Sequence, residues 1–248
     1  MSKDANQKTI KKISKKSSGV PKIVHQIWLG PRDPPLIWMN TWKDGFCKKY
    51  NWEYRLWRDS DIKNFKLKNE VSFKDATSWQ QKADIARYEI VHKFGGLYLD
   101  VDMIWLKKDL EKYIPFSTSH FIGVQEYLSS NFKNIGKPFI SNGFFAASKG
   151  NSILKCCIDT LPKRLKLSNK AFITTGPGLV NGCVNVPITI IPTEWVFPVN
   201  FTGLATGDEK NFLKTALVFT KSGFEMPYLA NASLQNKLKL VLERFLYV

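Results

Sequence analysis

The sequence predicts an α/β fold, an open and largely parallel sheet flanked by helices, built as one domain over residues 20–248. Three observations carry this reading. Strand-like segments, Val20–Gly30 and Trp52–Trp57, are separated by a stretch of helical length. A well-marked helix starting after Ser78 runs through Gly95 and Gly96 straight into another apolar segment. Hydrophobic residues make up 44% of 248 positions, enough to close a sizeable core.

The elements follow in order. Residues 1–19 carry Lys3, Lys8, Lys11, Lys12, Lys15 and Lys16 against Asp4. So basic and polar a stretch is expected to be a disordered tail. Val20–Gly30 reads as a buried strand, Pro31–Pro35 as a loop, and the segment with Trp38 and Trp42 as helical. Trp52–Trp57 alternates and gives the second strand, with Arg58–Asp61 turning into the next helix. Ser78-Trp-Gln-Gln81 has capping-box spacing. Ala83, Ala86, Ile90 and Phe94 then form a helical stripe, closed by the αL-tolerant Gly95-Gly96 pair. Asp84, Arg87 and Tyr88 lie three and four residues apart, on one face beside that stripe.

The stretch GGLYLDVDMIWL, Gly95–Leu106, follows as a strand. Leu97, Leu99, Val101 and Met103 are expected on one side, and Tyr98, Asp100 and Asp102 on the other. Phe121–Gln125 and Ile140–Ala147 read as further strands, the latter with Asn142 among apolar neighbours. Thr174–Gly178 reads as a loop, Val186–Phe197 as strand-like but broken by Pro187 and Pro192, and Leu234–Leu246 as a helix.

Composition narrows the classes. No run approaches the roughly 18 apolar residues of a membrane span, and no apolar segment follows the basic N-terminus as in a signal peptide. A soluble, cytoplasmic protein is expected, with peripheral contact to an anionic membrane open to it. Cys47, Cys156, Cys157 and Cys183 show no metal-ligand spacing and are expected reduced and mostly buried. The net charge of +16, of which the tail supplies only about a third, fits an anionic partner: a membrane surface, a nucleic acid or a phosphorylated substrate. Eight tryptophans serve cores and also stack on sugars and bases.

Two carboxylates on one strand face offer hard oxygen ligands. That suits Mg²⁺ or Mn²⁺, which keep waters and add substrate phosphate oxygens. His25 reads as a structural strand residue, and His92, late in its helix, as a cation near a helix C-terminus.

Asp84-Ile-Ala-Arg87-Tyr88 followed by Gly95-Gly-Leu-Tyr-Leu-Asp-Val-Asp102 resembles the signature of the DXD-containing sugar-transferase family. That family includes fungal initiating α-1,6-mannosyltransferases, bacterial capsular-polysaccharide transferases and glucosylating toxins. Pro21–Gly30 is similar to the family's opening strand, Thr175-Gly-Pro177 to its T-G-P loop, and Ile191-Pro192 with Phe197-Pro198 to a later segment. The resemblance implies a GT-A fold: a Rossmann-like domain that binds a nucleotide sugar at the carboxyl edge of its sheet. It implies metal-dependent, retaining transfer from a UDP- or GDP-sugar to a glycan, lipid-linked or protein acceptor, or else a degenerate member that binds without transfer. Residue by residue, it places Asp102 on Mn²⁺ or Mg²⁺ and Asp100 on the ribose and the metal. It sets Asp84 and Arg87 on the transferred sugar, with Tyr98 supporting them. Trp28 takes the base-stacking position and Asn142 a sugar or acceptor contact, while Gly176 and Pro177 shape a loop over the donor. The family's C-terminal His and Ser-x-Trp segment has no match in Gly203–Val248, where Asn231, Ser233 and Glu225 are the candidates for the lid and a third ligand. No nucleic-acid recognition signature occurs, and no nucleic-acid partner is expected.

Overall fold

The computed structural model describes residues 19–126, 139–168, 170–198 and 215–220. The tail, apart from Gly19, lies outside these residues, as do the helix expected at Leu234–Leu246 and the candidates Glu225, Asn231 and Ser233.

Strand β1 (Ile23–Ile27) leads through the Pro31–Pro35 loop to a continuous helical stretch. It comprises α1 (Leu36–Asn40), a π-helical segment Thr41–Cys47 and α2 (Lys48–Tyr50). Next come β2 (Glu53–Trp57), α3 (Asp59–Phe65), α4 (Glu70–Asp75) and α5 (Trp79–Phe94). Then follow β3 (Gly96–Leu99), β4 (Met103–Trp105), α6 (Leu110–Tyr113), β5 (Phe121–Gln125), β6 (Ile140–Ala147) and α7 (Ser152–Leu165). Helices α8 (Ala171–Thr174) and α9 (Pro177–Cys183), strand β7 (Thr189–Ile191), α10 (Thr193–Val196) and β8 (Val218–Thr220) complete the described chain.

The main sheet has the order β2-β1-β3-β6-β5-β7. Strands β1, β2 and β3 pair in parallel, as do β5 and β7, while β6 runs antiparallel between β3 and β5. The carboxyl ends of β1, β3 and β5 therefore share one edge with the beginning of β6. Alternation sorts the core onto two faces. Leu97, Leu99, Phe144 and Ala146 pack with Trp42, Phe46 and Trp105 on one side. Tyr98 and Phe145 pack with α5, α7 and α9 on the other.

Helix α5 starts as its sequence demands. Ser78 Oγ accepts from Gln81 N at 3.1 Å. The return arm of the box shifts by one residue: Gln81 Oε1 accepts from Thr77 N at 3.1 Å. At the far end Gly95 takes φ 69°, ψ −173°, a conformation essentially confined to glycine, rather than the αL cap expected. Gly96 follows at φ 113°, where a Cβ would sit 2.5 Å from Ile23 O. Both glycines are required for the helix to hand its chain directly to β3.

Three expectations are corrected. The run through GGLYLDVDMIWL is not one strand: β3 stops at Leu99, and Met103–Trp105 pairs with Val218–Thr220 in a separate two-stranded sheet. The segment Val186–Phe197 is mostly not strand; β7 is three residues long, and Pro192 starts the short α10. The cysteines are not all reduced. Cys156 and Cys183 form a disulfide that ties α7 to α9, whereas Cys47 and Cys157 are free and buried. Packing of α7 on α9 brings these two residues together, which no local spacing announces.

His25 is structural, as expected. Its Nε2 donates to Gly95 O at 2.9 Å, and its Nδ1 accepts from Trp57 Nε1 at 3.1 Å. Burial lowers its pKa to about 4. His92 departs from the cation expected of it, since partial burial and then Lys155 lower its pKa as well.

The folded pKa of His25 is depressed, so the unfolded chain takes up its proton first as pH falls. The linked stability is complete above about pH 6.5 and is lost as pH falls toward 4. The loss across that window should be about 3 kcal/mol. Urea unfolding of the wild type and of His25→Gln at pH 7 and pH 4.5 checks this: the stability gap between them should narrow at the lower pH.

Candidate functional site

The two acids of Asp100-Val101-Asp102 sit in a tight turn at the end of β3. Asp100 N donates to Gly143 O on β6 at 2.9 Å, and Met103 N returns to Asp100 O at 3.2 Å, closing the turn. Aspartate is favoured at the first position of such turns. Gln26 Nε2 adds a bond to Asp100 O at 3.2 Å, and Tyr54 OH holds Gln26 in place at 2.7 Å. Beyond the turn, Trp42 Nε1 clamps Met103 O at 2.8 Å and Thr41 Oγ1 accepts from Trp105 N at 3.1 Å. Both ends of the turn are thereby fixed, with Asp100 at its first position and Asp102 within it.

Arg87 organises the neighbouring side chains. It is 4% exposed and makes contacts all around its guanidinium. Nη2 meets Asp84 Oδ1 at 3.0 Å and Nη1 meets Asp100 Oδ1 at 3.2 Å. Nη1 also donates to Asn142 O at 2.7 Å, and the group lies 4.4 Å from the centre of the Tyr98 ring. Burial works against its charge, yet Asp100, Tyr98 and Asp84 outweigh burial and raise its pKa further.

Burial pushes Asp84 the other way, upward, against Arg87 and its hydrogen bonds. Every partner of its carboxylate is a donor: Arg87, Thr175 Oγ1 at 2.7 Å and Asn142 Nδ2 at 2.8 Å. Arg87 and Asn142 Nδ2 can only donate to it, which favours the ionised form. Tyr98 OH donates to Asp100 Oδ1 at 2.8 Å, and burial raises the pKa of this phenol well above its usual range.

A cleft of about 750 Å³ opens at this carboxyl edge. Of the residues singled out from sequence, Asp84, Arg87, Tyr98, Asp100, Asp102, Asn142 and Trp28 all line it. Trp28 stands at the rim, its Nε1 donating to Arg32 O at 2.7 Å. Gly176 and Pro177 do not line the cleft. They lie beneath it, where Tyr88 OH donates to Thr175 O at 2.6 Å and also approaches Gly176 O. Pro177 is buried as the first residue of α9. In the Thr175-Gly-Pro177 loop, the residue that reaches the cleft network is Thr175, through Asp84.

Sequence reading missed Arg32 and Trp79, which also line the cleft, and Gly143. An exposed tryptophan in the first turn of α5 was the available signal for Trp79, whose ring covers Gly30. Gly143 is needed because a Cβ there would stand 2.6 Å from Asp100 Oδ2.

Asp100 and Asp102 are the cleft residues able to hold a divalent cation. Asp100 Oδ1 is occupied by Tyr98 and Arg87, while Oδ2 has no hydrogen bond to any described residue. No group of three His, Cys, Asp or Glu suited to a metal occurs among the described residues. Two hard oxygen donors with the remaining positions left to water and phosphate fit Mg²⁺ or Mn²⁺.

Residues 35–120 match the model of the family described as glycosyltransferase sugar-binding region containing DXD motif. Over those residues the chain is similar to that family. Among curated relatives, inositol phosphoceramide mannosyltransferase 3 of Schizosaccharomyces pombe is 33% identical over 36% of this chain and 26% of its own length. Inositol phosphoceramide mannosyltransferase 1 of the same yeast is 29% identical over 58% of this chain and 43% of its own length. The chain thus spans less than half the length of these two relatives. An uncharacterized glycosyltransferase of Acanthamoeba polyphaga mimivirus is 24% identical over 73% of this chain and 74% of its own. Among solved structures, the catalytic domain of alpha-toxin from Clostridium novyi aligns with a TM-score of 0.54 at 12% identity, covering 91% of this chain and 83% of that one. The fold is of the GT-A type. The family match ends before Asn142 and Thr175, and begins after Trp28.

Replacing Asp84 with alanine should cost about 3–5 kcal/mol, because it leaves the buried guanidinium short of one counter-charge; chemical denaturation measures it. Gly143→Ala should behave differently. The atoms nearest its Cβ belong to the Asp100 carboxylate and Ser141 Oγ, and shifting that carboxylate disturbs its contacts with Arg87 and Tyr98, so unfolding should shift by about 1–3 kcal/mol. Binding of a diphosphate with Mn²⁺, followed by calorimetry, should weaken about tenfold or more as Asp100 is displaced.

Proposed function

We propose that this chain is a glycosyltransferase that moves a sugar from a nucleotide diphosphate sugar to an acceptor hydroxyl. The observation that carries the reading is the convergence of Asp84, Arg87, Asp100 and Asp102 on one cleft at the carboxyl edge, the general ligand position of such sheets. The cleft is large enough to hold a nucleotide sugar.

The charges argue for metal dependence. Among the described lining residues three carboxylates, Asp84, Asp100 and Asp102, stand against two guanidinium groups, Arg87 and Arg32. A cation beside the carboxylates would lessen their repulsion of a dianionic diphosphate. Mn²⁺ or Mg²⁺ held by Asp102 and Asp100 would supply charge neutralisation of the leaving diphosphate. The chain's own residues do the rest. Arg87, fixed by Asp84, holds the Asp100 carboxylate in one orientation and adds a buried positive charge beside it. Trp28 at the rim offers an aromatic face to the base. No side chain is assigned as a nucleophile; the family likeness favours retention, with an α-linkage made on the face the diphosphate leaves and the acceptor proton passing to that phosphate.

The mannosyltransferase relatives make GDP-mannose the first donor to test, with UDP-sugars as the comparison, and a lipid-linked or other saccharide as acceptor. Contact with an anionic membrane is proposed from a second cleft of about 510 Å³, whose lysines Lys66, Lys68, Lys93, Lys149 and Lys155 exceed its acids Glu89 and Asp159, the latter paired with Lys68 and Lys155. The Cys156–Cys183 disulfide favours work in an oxidising compartment over the cytoplasmic placement expected from sequence.

Thermal unfolding with UDP, GDP and their sugars, with and without Mn²⁺, tests the reading. At least one diphosphate should raise Tm only when Mn²⁺ is present, and Asp102→Ala should abolish the shift. A shift that persists in Asp102→Ala would remove the metal assignment.

A further inference from the structure

Strand β6 parts from β5 where it serves the cleft. Gly123 pairs with Phe145 and Gln125 with Ile140, so the four residues Ser141–Phe144 stand opposite Val124 alone. Bulges of this kind re-aim side chains and end pairing beside active sites. Two of the displaced residues hold the site together: Asn142 O accepts from Arg87, and Gly143 O from Asp100 N. Past the bulge the ladder closes again, with Glu126 N donating to Phe139 O at 2.7 Å.

Glu126 therefore follows β5 at the same carboxyl edge that carries Asp100 and Asn142. It does not line the donor cleft. In the strand order, β1, which leads to the cleft residue Trp28, lies on one side of β3 and Asp100, and β5, which leads to Glu126, lies beyond β6 on the other. Its Oε2 is buried without any hydrogen-bond partner, the one such side-chain atom among the described residues. An unsatisfied buried carboxylate oxygen costs folding free energy, and a ligand that brings it a donor relieves that cost. Burial and then Asp100 push the pKa of Glu126 up to about 7, so the field of Asp100 reaches it.

We propose that Glu126 binds the acceptor: its unpaired carboxylate oxygen accepts the hydrogen bond of the polyol hydroxyl that receives the sugar, on the side of Asp100 away from the donor cleft. The ligand class is a sugar or cyclitol hydroxyl. This role rests on the glycosyltransferase reading above. Glu126 orients the hydroxyl and forms no covalent bond. The acceptor oxygen bonds to the anomeric carbon, the bond from that carbon to the phosphate oxygen breaks, and the proton leaves with the phosphate.

The test compares wild type with Glu126→Gln, which keeps the shape, and Glu126→Asp, which keeps the charge. Calorimetry with UDP and GDP plus Mn²⁺ reads the donor side. Nucleotide diphosphate release at saturating donor, with water alone and with methyl α-mannoside or myo-inositol added, reads the acceptor side. Glu126→Gln should bind diphosphate and hydrolyse donor within about twofold of wild type, while its acceptor KM rises about tenfold or more and Glu126→Asp recovers part of the loss. Diphosphate affinity falling about tenfold in Glu126→Gln would put the residue on the donor side and overturn the role. Acceptor kinetics unchanged in both variants, or a wild type that uses neither polyol, overturns it too. A wild type that binds neither diphosphate removes the donor-site reading and this role with it, whereas intact donor binding with unaltered acceptor kinetics removes the Glu126 assignment alone.

Discussion

A guanidinium buried between a helix and the strands it packs on is the constraint on which the rest of this site depends. Removing a charge from water costs several kcal/mol even after relaxation, and only close, complete pairing offsets it. Arg87 obtains that pairing from three separate elements: Asp84 on its own helix, Asp100 after β3, and Asn142 O on β6. None can move far without stranding the charge. The local geometry explains why they meet. From Arg87 to Gly95 the helix climbs about 12 Å. From Gly95 to Asp100 the strand returns about 13–16 Å. With Gly95 and Gly96 reversing the chain in no more than a residue or two, Arg87 and Asp100 come level. A single residue with a side chain at Gly96 would meet Ile23 O and open that joint.

The same joint explains which parts of the molecule the sequence announces. Helix α5, its Ser78 cap, its Gly-Gly exit and the shared face of Asp84, Arg87 and Tyr88 are set by contacts within about twenty residues, and all are legible. So are β1, β2, β5 and β6, whose apolar runs need only the sheet. The turn at Asp100–Met103 is hidden because apolar residues flank it on both sides, and a period-2 pattern passes through it unbroken. What ends β3 there is non-local: Gly143 O, Trp42, Thr41 and the pairing of Met103–Trp105 with Val218–Thr220. The Cys156–Cys183 bond is hidden for the same kind of reason, since it depends on how α7 meets α9. Among site residues, Asp84, Arg87, Tyr98, Asp100 and Asp102, which share one local motif, were found, whereas Arg32, Trp79, Gly143 and Thr175, which lie outside it and reach the site through the fold, were not.

The acids of the turn are therefore not a strand interrupting itself. Asp100 is satisfied as a turn residue by its backbone and as a carboxylate by Tyr98 and Arg87, which removes most of the cost of placing it at the sheet edge. For the proposed transfer, fixing its orientation before any ligand arrives has a catalytic consequence. Charged groups already aligned need no reorganisation when diphosphate charge develops, and such preorganised electrostatics are the largest single term in many enzymes.

The β6 bulge then divides the edge into two regions of unlike character. On the α5 side, every buried polar side chain is paired: Asp84 with three donors, Arg87 with acceptors, Asn142 with Asp84 and Tyr88. Such a network leaves a ligand little to complete, so it serves to hold one fixed shape. On the β5 side, Glu126 keeps an oxygen unpaired. A group left unsatisfied discriminates, because only a ligand that brings a donor relieves it, and an analogue lacking that donor pays the full desolvation penalty. The family match covers the α5 side, with Asp84 to Asp102, and stops before Glu126. Fixed geometry on one side of Asp100 and an open valence on the other is the arrangement expected of a scaffold that keeps its donor chemistry and chooses its acceptor separately.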